Sequence, residues 1–364
     1  MSAFPIEQVE LADPVPADVS PSAFHLSGSA DPSIQPMPCR RITPASRENR
    51  WGIVLAGGDG TRLRTLTRLI SGDDRPKQFC RVIGRYTLLQ QTRDRAARII
   101  PPEQTIYAVT RAHERYYAAD LGQTGSPMLV QPSNRGTAPA ILLSLLNIAR
   151  HDPDALVAVL PCDHYYSDEN ALTQSLECAF KVAAASRDSV VLLGAPASGP
   201  EVEFGWIQLG SSTSDRLFRV RGFQEKPDLH AAERLYHSGA LWNTFVMVGH
   251  VQAFLDLAWA GVPQLTAQLE DALPNLLLDG NIYVTQDLYN AIPTTDFSRT
   301  VLSPGASRLL VLRLHNMDWH DLGLPDRVVS VVRERNGEIP SWIYLWERAR
   351  RAVPISIPQT IPQF

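Results

Sequence analysis

The sequence predicts an α/β protein in which a largely parallel, mixed sheet carries helices on both faces. Two observations lead there. Short apolar runs alternate with segments of helical period, β-α-β-α. Those short runs are apolar throughout rather than at every second residue, as strands covered on both faces are. A third observation concerns function: a glycine cluster follows the first run directly, at the carboxyl end of a strand, where open parallel sheets bind ligands.

Residues 1–48 are rich in Pro, Ser, Ala and Asp without a sustained apolar period, and are expected to form a disordered tail. The texture changes at Trp51, where "WGIVLA" reads as a buried strand. "TLLQQTRDRAARII" (residues 87–100) repeats apolar residues at helical spacing and stops at Pro101-Pro102. "TIYAVT" and "PMLVQP" read as strands, and "TAPAILLSLLNIAR" as a strongly apolar helix. "ALVAVLP" (residues 155–161) is another strand, "ALTQSLECAFKVAAAS" a helix and "SVVLLGA" a further strand. After Gly205 shorter strands are expected over "GWIQLG" and "LFRVRGFQEKP", then "LWNTFVMVG" and helices from Val251 to Leu278. "RLLVLRL" is a late strand leading to "HNMDWHDLG". The folded domain is set at residues 49–338. Residues 339–364, Pro-punctuated and rich in Trp and Ile, form an extension with no element assigned.

Composition excludes several classes. A formal charge of −4 and a pI near 6.1 leave no electrostatic footprint for nucleic acid. No apolar run approaches the roughly 20 residues of a membrane helix, and the N-terminus does not read as a secretory signal. The four cysteines, Cys39, Cys80, Cys162 and Cys178, have neither metal spacing nor disulfide density, so a reducing cytoplasm is expected. Nothing in the sequence excludes a homo-oligomer. Of 34 basic residues only Lys77, Lys181 and Lys226 are lysine. Lysine is a compact point charge and arginine a planar fork, which makes each lysine in this arginine-rich chain worth locating.

"AGGDGTRL" (residues 56–63) offers bare backbone to an anion. A P-loop would end in Gly-Lys-Ser/Thr, whereas this loop runs Gly60-Thr61-Arg62. A dinucleotide fingerprint would need a third glycine where Leu63 stands. A ligand-free glycine turn is the bland alternative for the loop taken alone. Asp163 after its strand reads equally as a helix cap, and Asn243 as a turn residue.

The loop joined to "RPKQF" (residues 75–79) resembles the sugar-1-phosphate nucleotidyltransferases, and most of all their mannose-1-phosphate guanylyltransferase branch. The pairing is more specific than either half, and further motifs follow in family order from about residue 51 to 335. The resemblance implies a Rossmann-like nucleotidyltransferase fold, with Ala56, Gly57, Gly58, Gly60, Thr61 and Arg62 around the triphosphate and Lys77 facing the α-phosphate. "QPSNRGTAPAI" places Gln131, Arg135 and Thr137 near the nucleobase. "LPCDH" and "DWHDLG" supply Asp163 and Asp321 as Mg²⁺ carboxylates. "EFGWI", "FQEKP" and "LWNTF" bring Gly205, Glu225, Lys226 and Asn243 to the sugar phosphate.

The implied reaction joins a nucleoside triphosphate, GTP by resemblance, to a sugar 1-phosphate, mannose 1-phosphate by resemblance. The nucleophile is already ionised, so no general base is needed. The obstacle is repulsion: one pair of unit charges about 4 Å apart costs roughly 4 kcal/mol at an effective dielectric near 20. Catalysis must supply positive charge and alignment.

The sequence departs from the branch at Gln131, at Gly136 (an Asn is usual) and at Thr244-Phe245 (Ser-Gly is usual), and two of these bear on the ligands. Gln131 stands where a Glu is usual and, with one donor and one acceptor, suits the O6 and N1–H of guanine or the O4 and N3–H of uracil or thymine. Phe245 stands where a Gly is usual, beside the sugar. The chain ends soon after these motifs, so no sugar-isomerase domain or long β-helix is expected. The alternative reading is a catalytically weak or inactive nucleotide-sugar-binding regulatory paralogue. A nicotinamide-dependent oxidoreductase is disfavoured by the missing third glycine.

Overall fold

The computed structural model describes residues 49–335 and 339–352. The expected N-terminal tail and the end of the C-terminal extension lie outside the described residues.

In chain order, β1 (Arg50–Leu55) leads through the glycine loop to α1 (Arg64–Ser71), α2 (Leu88–Ala97), β2 (Thr105–Thr110), α3 (Glu114–Leu121) and β3 (Met128–Gln131). Then come α4 (Thr137–His151), β4 (Leu156–Pro161), the short β5 (His164–Tyr166), α5 (Glu169–Ala185) and β6 (Val190–Pro196). A hairpin of β7 (Gly205–Ser214) and β8 (Leu217–Glu225) precedes α6 (Leu229–His237), β9 (Leu241–His250), α7 (Val251–Gly261) and α8 (Pro263–Ala272). The rest comprises β10 (Leu277–Leu278), β11 (Asn281–Tyr283), α9 (Gln286–Ala291), a π-helical turn over Ser298–Leu302, β12 (Leu309–Arg313), β13 (Trp319–Asp321), α10 (Pro325–Glu334) and α11 (Ser341–Ala352).

One eleven-stranded sheet runs β10-β11-β3-β2-β1-β4-β9-β6-β12-β8-β7. β11, β3, β2, β1 and β4 are mutually parallel, as are β6 and β12. β9 lies antiparallel between β4 and β6. The chain leaves β1 toward β2 on one side and returns to β4 on the other, so the end of β1 is a topological switch point, the crevice where such sheets bind ligands.

The central strands β1, β4 and β6 are covered on both faces, as their uninterrupted apolar character predicts. Ile53, Val157, Val159 and Leu192 pack with Leu142 of α4 and Phe254 of α7. Their chain neighbours Val54, Ala158, Leu160 and Val191 pack on the opposite side with Leu89 of α2 and Leu176 and Phe180 of α5. Helix starts are capped locally: Thr87 and Gln90 form a reciprocal capping box on α2, and Asp168 caps α5.

Two expectations need correction. β7 and β8 are not short: they run ten and nine residues. Register shifts along the hairpin break the alternation that would have revealed their length. The helices expected to reach Leu278 end in a 3₁₀ turn over Leu273–Asn275, and Leu277–Leu278 instead forms β10, which pairs with β11. α11 falls in the unassigned extension. Its Trp342 and Ile343 join Leu63, Leu66, Leu322, Val328 and Val331 in a third apolar cluster. That cluster ties the glycine loop's exit to the turn after β13. Among the described residues, no helix is long and apolar enough to cross a membrane.

Candidate active site

A cleft of 370 Å³ opens at the carboxyl ends of the parallel strands, at the switch point. A second cavity of 270 Å³ adjoins it and shares Arg62, Lys77, Asn134 and Asp163. Gly57, Gly58, Arg62, Lys77, Gln131, Thr137, Asp163, Gly205, Glu225, Lys226, Asn243 and Asp321 all line the main cleft. Gly60 and Thr61 line the smaller one. Ala56 and Arg135 line neither. The carbonyl of Ala56 accepts a hydrogen bond from Gln78, which positions the loop rather than a ligand.

One end of the cleft is organised around Lys77. Its Nζ lies 3.1 Å from Asp163 Oδ2 and 3.4 Å from Asp321 Oδ1, and donates to the carbonyl of Leu322 at 2.9 Å. Strand pairing brings the two aspartates together: β13 runs antiparallel to β5 with Asp321 opposite His164, so Asp163 and Asp321 end side by side. Burial alone would lower the Lys77 pKa, but the two carboxylates outweigh it and the net shift is upward. Burial likewise pushes Asp163 up, but Lys77 holds it below the usual carboxylate range. Lys77 is therefore charged and Asp163 ionised at neutral pH.

His164 had no role from sequence, yet it lines the cleft. Its Nδ1 accepts from the Trp319 indole at 3.3 Å, which leaves the proton on Nε2, 3.7 Å from Asp163 and 3.9 Å from Asp321. Burial lowers its pKa more than the two carboxylates raise it, so the ring is neutral.

Two carboxylates converging on one cation fit what Mg²⁺ takes from a protein, one or two carboxylates with phosphate oxygens and water completing the shell. Among the described residues, no group of three or more His, Cys, Asp or Glu is arranged to hold a metal by itself. Asp163 and Asp321 could thus hold such an ion with phosphate oxygens or water completing its shell.

At the mouth, Arg62 pairs with Glu203 at 2.8 Å. Glu203 belongs to the loop before β7 and was not singled out from sequence.

The far end is built by β7, β8 and β9. Gly205 lies opposite Glu225, and β7 also pairs with β9 beside Asn243. A Cβ at Gly205 would stand 2.6 Å from Glu225 Oε2 and 3.3 Å from Asn243 Cβ, so the bare residue is what lets these side chains share one wall. Lys226 (φ 47) and Phe245 (φ 59) adopt the left-handed conformation, uncommon for side-chain-bearing residues. Both line the cleft. Phe245 sits where β9 bulges against β6, between the Asn243 and Met247 pairings, and Asn243 Oδ1 accepts from its amide at 3.1 Å. Asp296 and Ser298 complete this end. Burial and the Asp296 charge push the Glu225 carboxyl up to about 7, against the pull of Lys226 and Arg299.

Sequence reasoning missed Asp296 and Ser298. They sit in "PTTDFSR", which reads as an ordinary connection, and only the fold brings that connection over the cleft.

The chain resembles known proteins over most of its length. Residues 51–335 match the family model described as nucleotidyl transferase. The xanthan biosynthesis protein XanB of Xanthomonas campestris pv. campestris (strain B100) is 30% identical over 292 residues, covering 79% of this chain and 60% of XanB. A mannose-1-phosphate guanylyltransferase of Klebsiella pneumoniae is 26% identical over 305 residues, covering 81% of this chain and 59% of that protein. A crystal structure described as a mannose-1-phosphate geranyltransferase from Thermus thermophilus superposes with a TM-score of 0.69 at 30% identity, covering 80% of this chain and 81% of that one. This chain thus spans about 60% of the length of XanB and of the Klebsiella protein.

Proposed function

Because this chain belongs to the nucleotidyl transferase family, we propose that it is a Mg²⁺-dependent sugar-1-phosphate nucleotidyltransferase acting in the cytoplasm. We favour GTP and mannose 1-phosphate as its substrates, in line with the name of the Klebsiella relative. One observation carries the reading. Asp163, Asp321 and Lys77 converge at one end of a single cleft whose other end holds Glu225, Lys226 and Asn243.

An oxygen of the sugar's phosphate forms a bond to the α-phosphorus. The bond from that phosphorus to the bridging oxygen breaks, and pyrophosphate leaves with the electron pair. No proton need move. The backbone of Gly57 to Thr61 and the side chain of Arg62 hold the departing phosphates, once Arg62 exchanges Glu203 for them. Lys77 addresses the α-phosphate and Lys226 the sugar's phosphate. Glu225 and Asn243 bind sugar hydroxyls, and Gln131 and Thr137 face the base. Asp163 and Asp321 would hold Mg²⁺, which when bound supplies positive charge to the phosphate oxygens. The residues present thus address the anion–anion repulsion that opposes the step.

The second reading, a catalytically weak nucleotide-sugar-binding paralogue, is favoured by Phe245, an aromatic ring at the sugar end on a left-handed backbone. A single assay separates the two. The protein is incubated with Mg²⁺, each of several nucleoside triphosphates and a panel of hexose 1-phosphates, and pyrophosphate release is followed. Turnover with at least one pair is expected. Nucleotide binding without turnover for any pair would select the paralogue.

A further inference from the structure

Gln131 ends β3 and lines the cleft, and its side chain lies against the fully buried Tyr289 of α9. The Tyr289 hydroxyl donates to Gln131 Oε1 at 2.7 Å, its only hydrogen bond among the described residues. That bond decides which way the amide points. Turned over, the amide would offer Nε2 to the phenol, and the phenolic proton would be a buried donor with no acceptor, the costly arrangement. Burial also pushes the phenol above its ordinary pKa, so it keeps that proton.

Oε1 is therefore held at the phenol with one lone pair in use, which leaves Nε2 on the other side of the amide. It has no protein acceptor among the described residues. It lies against Gly57, where a Cβ would stand 2.8 Å from it, so the absence of a side chain at Gly57 keeps Nε2 uncovered.

We infer that Tyr289 is a positioning residue that fixes Gln131 with its amide N–H toward the base, so that the cleft selects bases presenting a carbonyl oxygen there over bases presenting an amino group. Resting on the proposed nucleotide site, this assigns guanine, uracil and thymine to the accepted class and adenine and cytosine to the rejected one. From sequence alone, Gln131 offered both a donor and an acceptor; Tyr289 decides that the donor faces the base.

The test is calorimetric binding of GTP, UTP, ATP and CTP to the intact protein without sugar phosphate. The wild type should bind UTP over CTP, and GTP over ATP, by roughly tenfold or more, the value of one well-placed base contact. In Tyr289→Phe the amide is free to turn, and both ratios should fall to within about threefold, the scale below a full hydrogen bond. Gln131→Glu keeps the Tyr289 bond but faces the base with an acceptor, so CTP should gain on UTP. This second variant also carries the test if Tyr289→Phe fails to fold. Equal affinities for the four nucleotides in the wild type, a Tyr289→Phe variant that weakens all of them alike, or a Gln131→Glu variant with the UTP preference intact would overturn the assignment to Tyr289 and leave the proposed function standing. No binding of any nucleotide would instead overturn the proposed function, and the assignment with it.

Discussion

The two ends of the cleft treat charge in opposite ways. At the end proposed for the phosphates, both cations already have carboxylate complements. Lys77 lies between Asp163 and Asp321, and Arg62 is held by Glu203. The supporting turn is pinned by the apolar cluster that includes Leu322 and Leu66. At the end proposed for the sugar, Lys226 and Arg299 are outweighed by burial and Asp296. Glu225 is pushed up to about 7 by burial and by Asp296, and the backbone is left-handed at Lys226 and Phe245. Each such backbone position costs on the order of 1–3 kcal/mol. The contrast teaches that the phosphate end is preorganised by the protein, whereas the sugar end carries an imbalance that a polyhydroxylated ligand would relieve.

The sharpest way to break that contrast is at the phosphate end. Asp163→Asn removes one of the two converging carboxylates and one partner of Lys77. Pyrophosphate release should fall on the order of 100- to 1,000-fold, the usual loss when one electrostatic contact to a reacting phosphate is removed, while the circular dichroism spectrum stays that of the parent. A near-normal rate would mean that Asp163 is not part of the reacting site. At the sugar end, Lys226→Ala should cost roughly 100-fold in kcat/KM for the sugar phosphate, with the nucleotide KM almost unchanged. Lys226 is exposed, so the variant's melting temperature should stay close to the parent's. Equal damage to both substrates would show that the two ends are not separate.

The phosphate end was also the more legible in sequence. β1 to β4 were readable because strands buried on both faces are apolar at every position, and "TIYAVT" matches β2 from end to end. The glycine loop and "PKQF" lie close together in the chain, so their cooperation shows in a short window. The sugar end is assembled from distant pieces. Antiparallel β9 enters an otherwise parallel neighbourhood, and its bulge at Phe245 leaves no periodic trace. Tyr289 and Asp296 lie in the stretch between β11 and β12, whose path over the cleft is set by packing rather than by local pattern. Arg135 shows the converse: its motif was legible, but its side chain lines neither cavity.

A smaller effect tests the charge imbalance directly. Glu225 has a folded pKa of about 7 against an ordinary 4.5. Below about pH 4.5 the carboxyl is protonated in both states and carries no penalty. As pH rises toward 7, the unfolded chain ionises first, so the folded state loses stability relative to it, and the loss levels off above the folded pKa. Glu225→Gln removes this dependence. The melting temperature of the variant relative to the parent should therefore rise between pH 5 and 7.5 and then stay flat. A difference that is constant across that window would show that Glu225 is not held protonated.

The smallest effect isolates the backbone at Phe245. At an ordinary strand position glycine is less stable than alanine by about 0.5–1 kcal/mol. At a left-handed position the order inverts, because alanine bears a steric cost of about 1–2 kcal/mol that glycine does not. Phe245→Ala and Phe245→Gly lose the same ring, so the contact with the core is removed equally in both. Denaturant unfolding should then find Phe245→Gly the more stable by about 1 kcal/mol. If Phe245→Ala proves equal or better, the bulge in β9 relaxes once the ring is gone, and the left-handed backbone is imposed by the phenyl group rather than by the Asn243 hydrogen bond. Both variants also open the sugar end, so any widening of the hexose 1-phosphate panel should be the same in the two. A widening seen only with glycine would assign sugar selection to the backbone at residue 245 and not to its side chain.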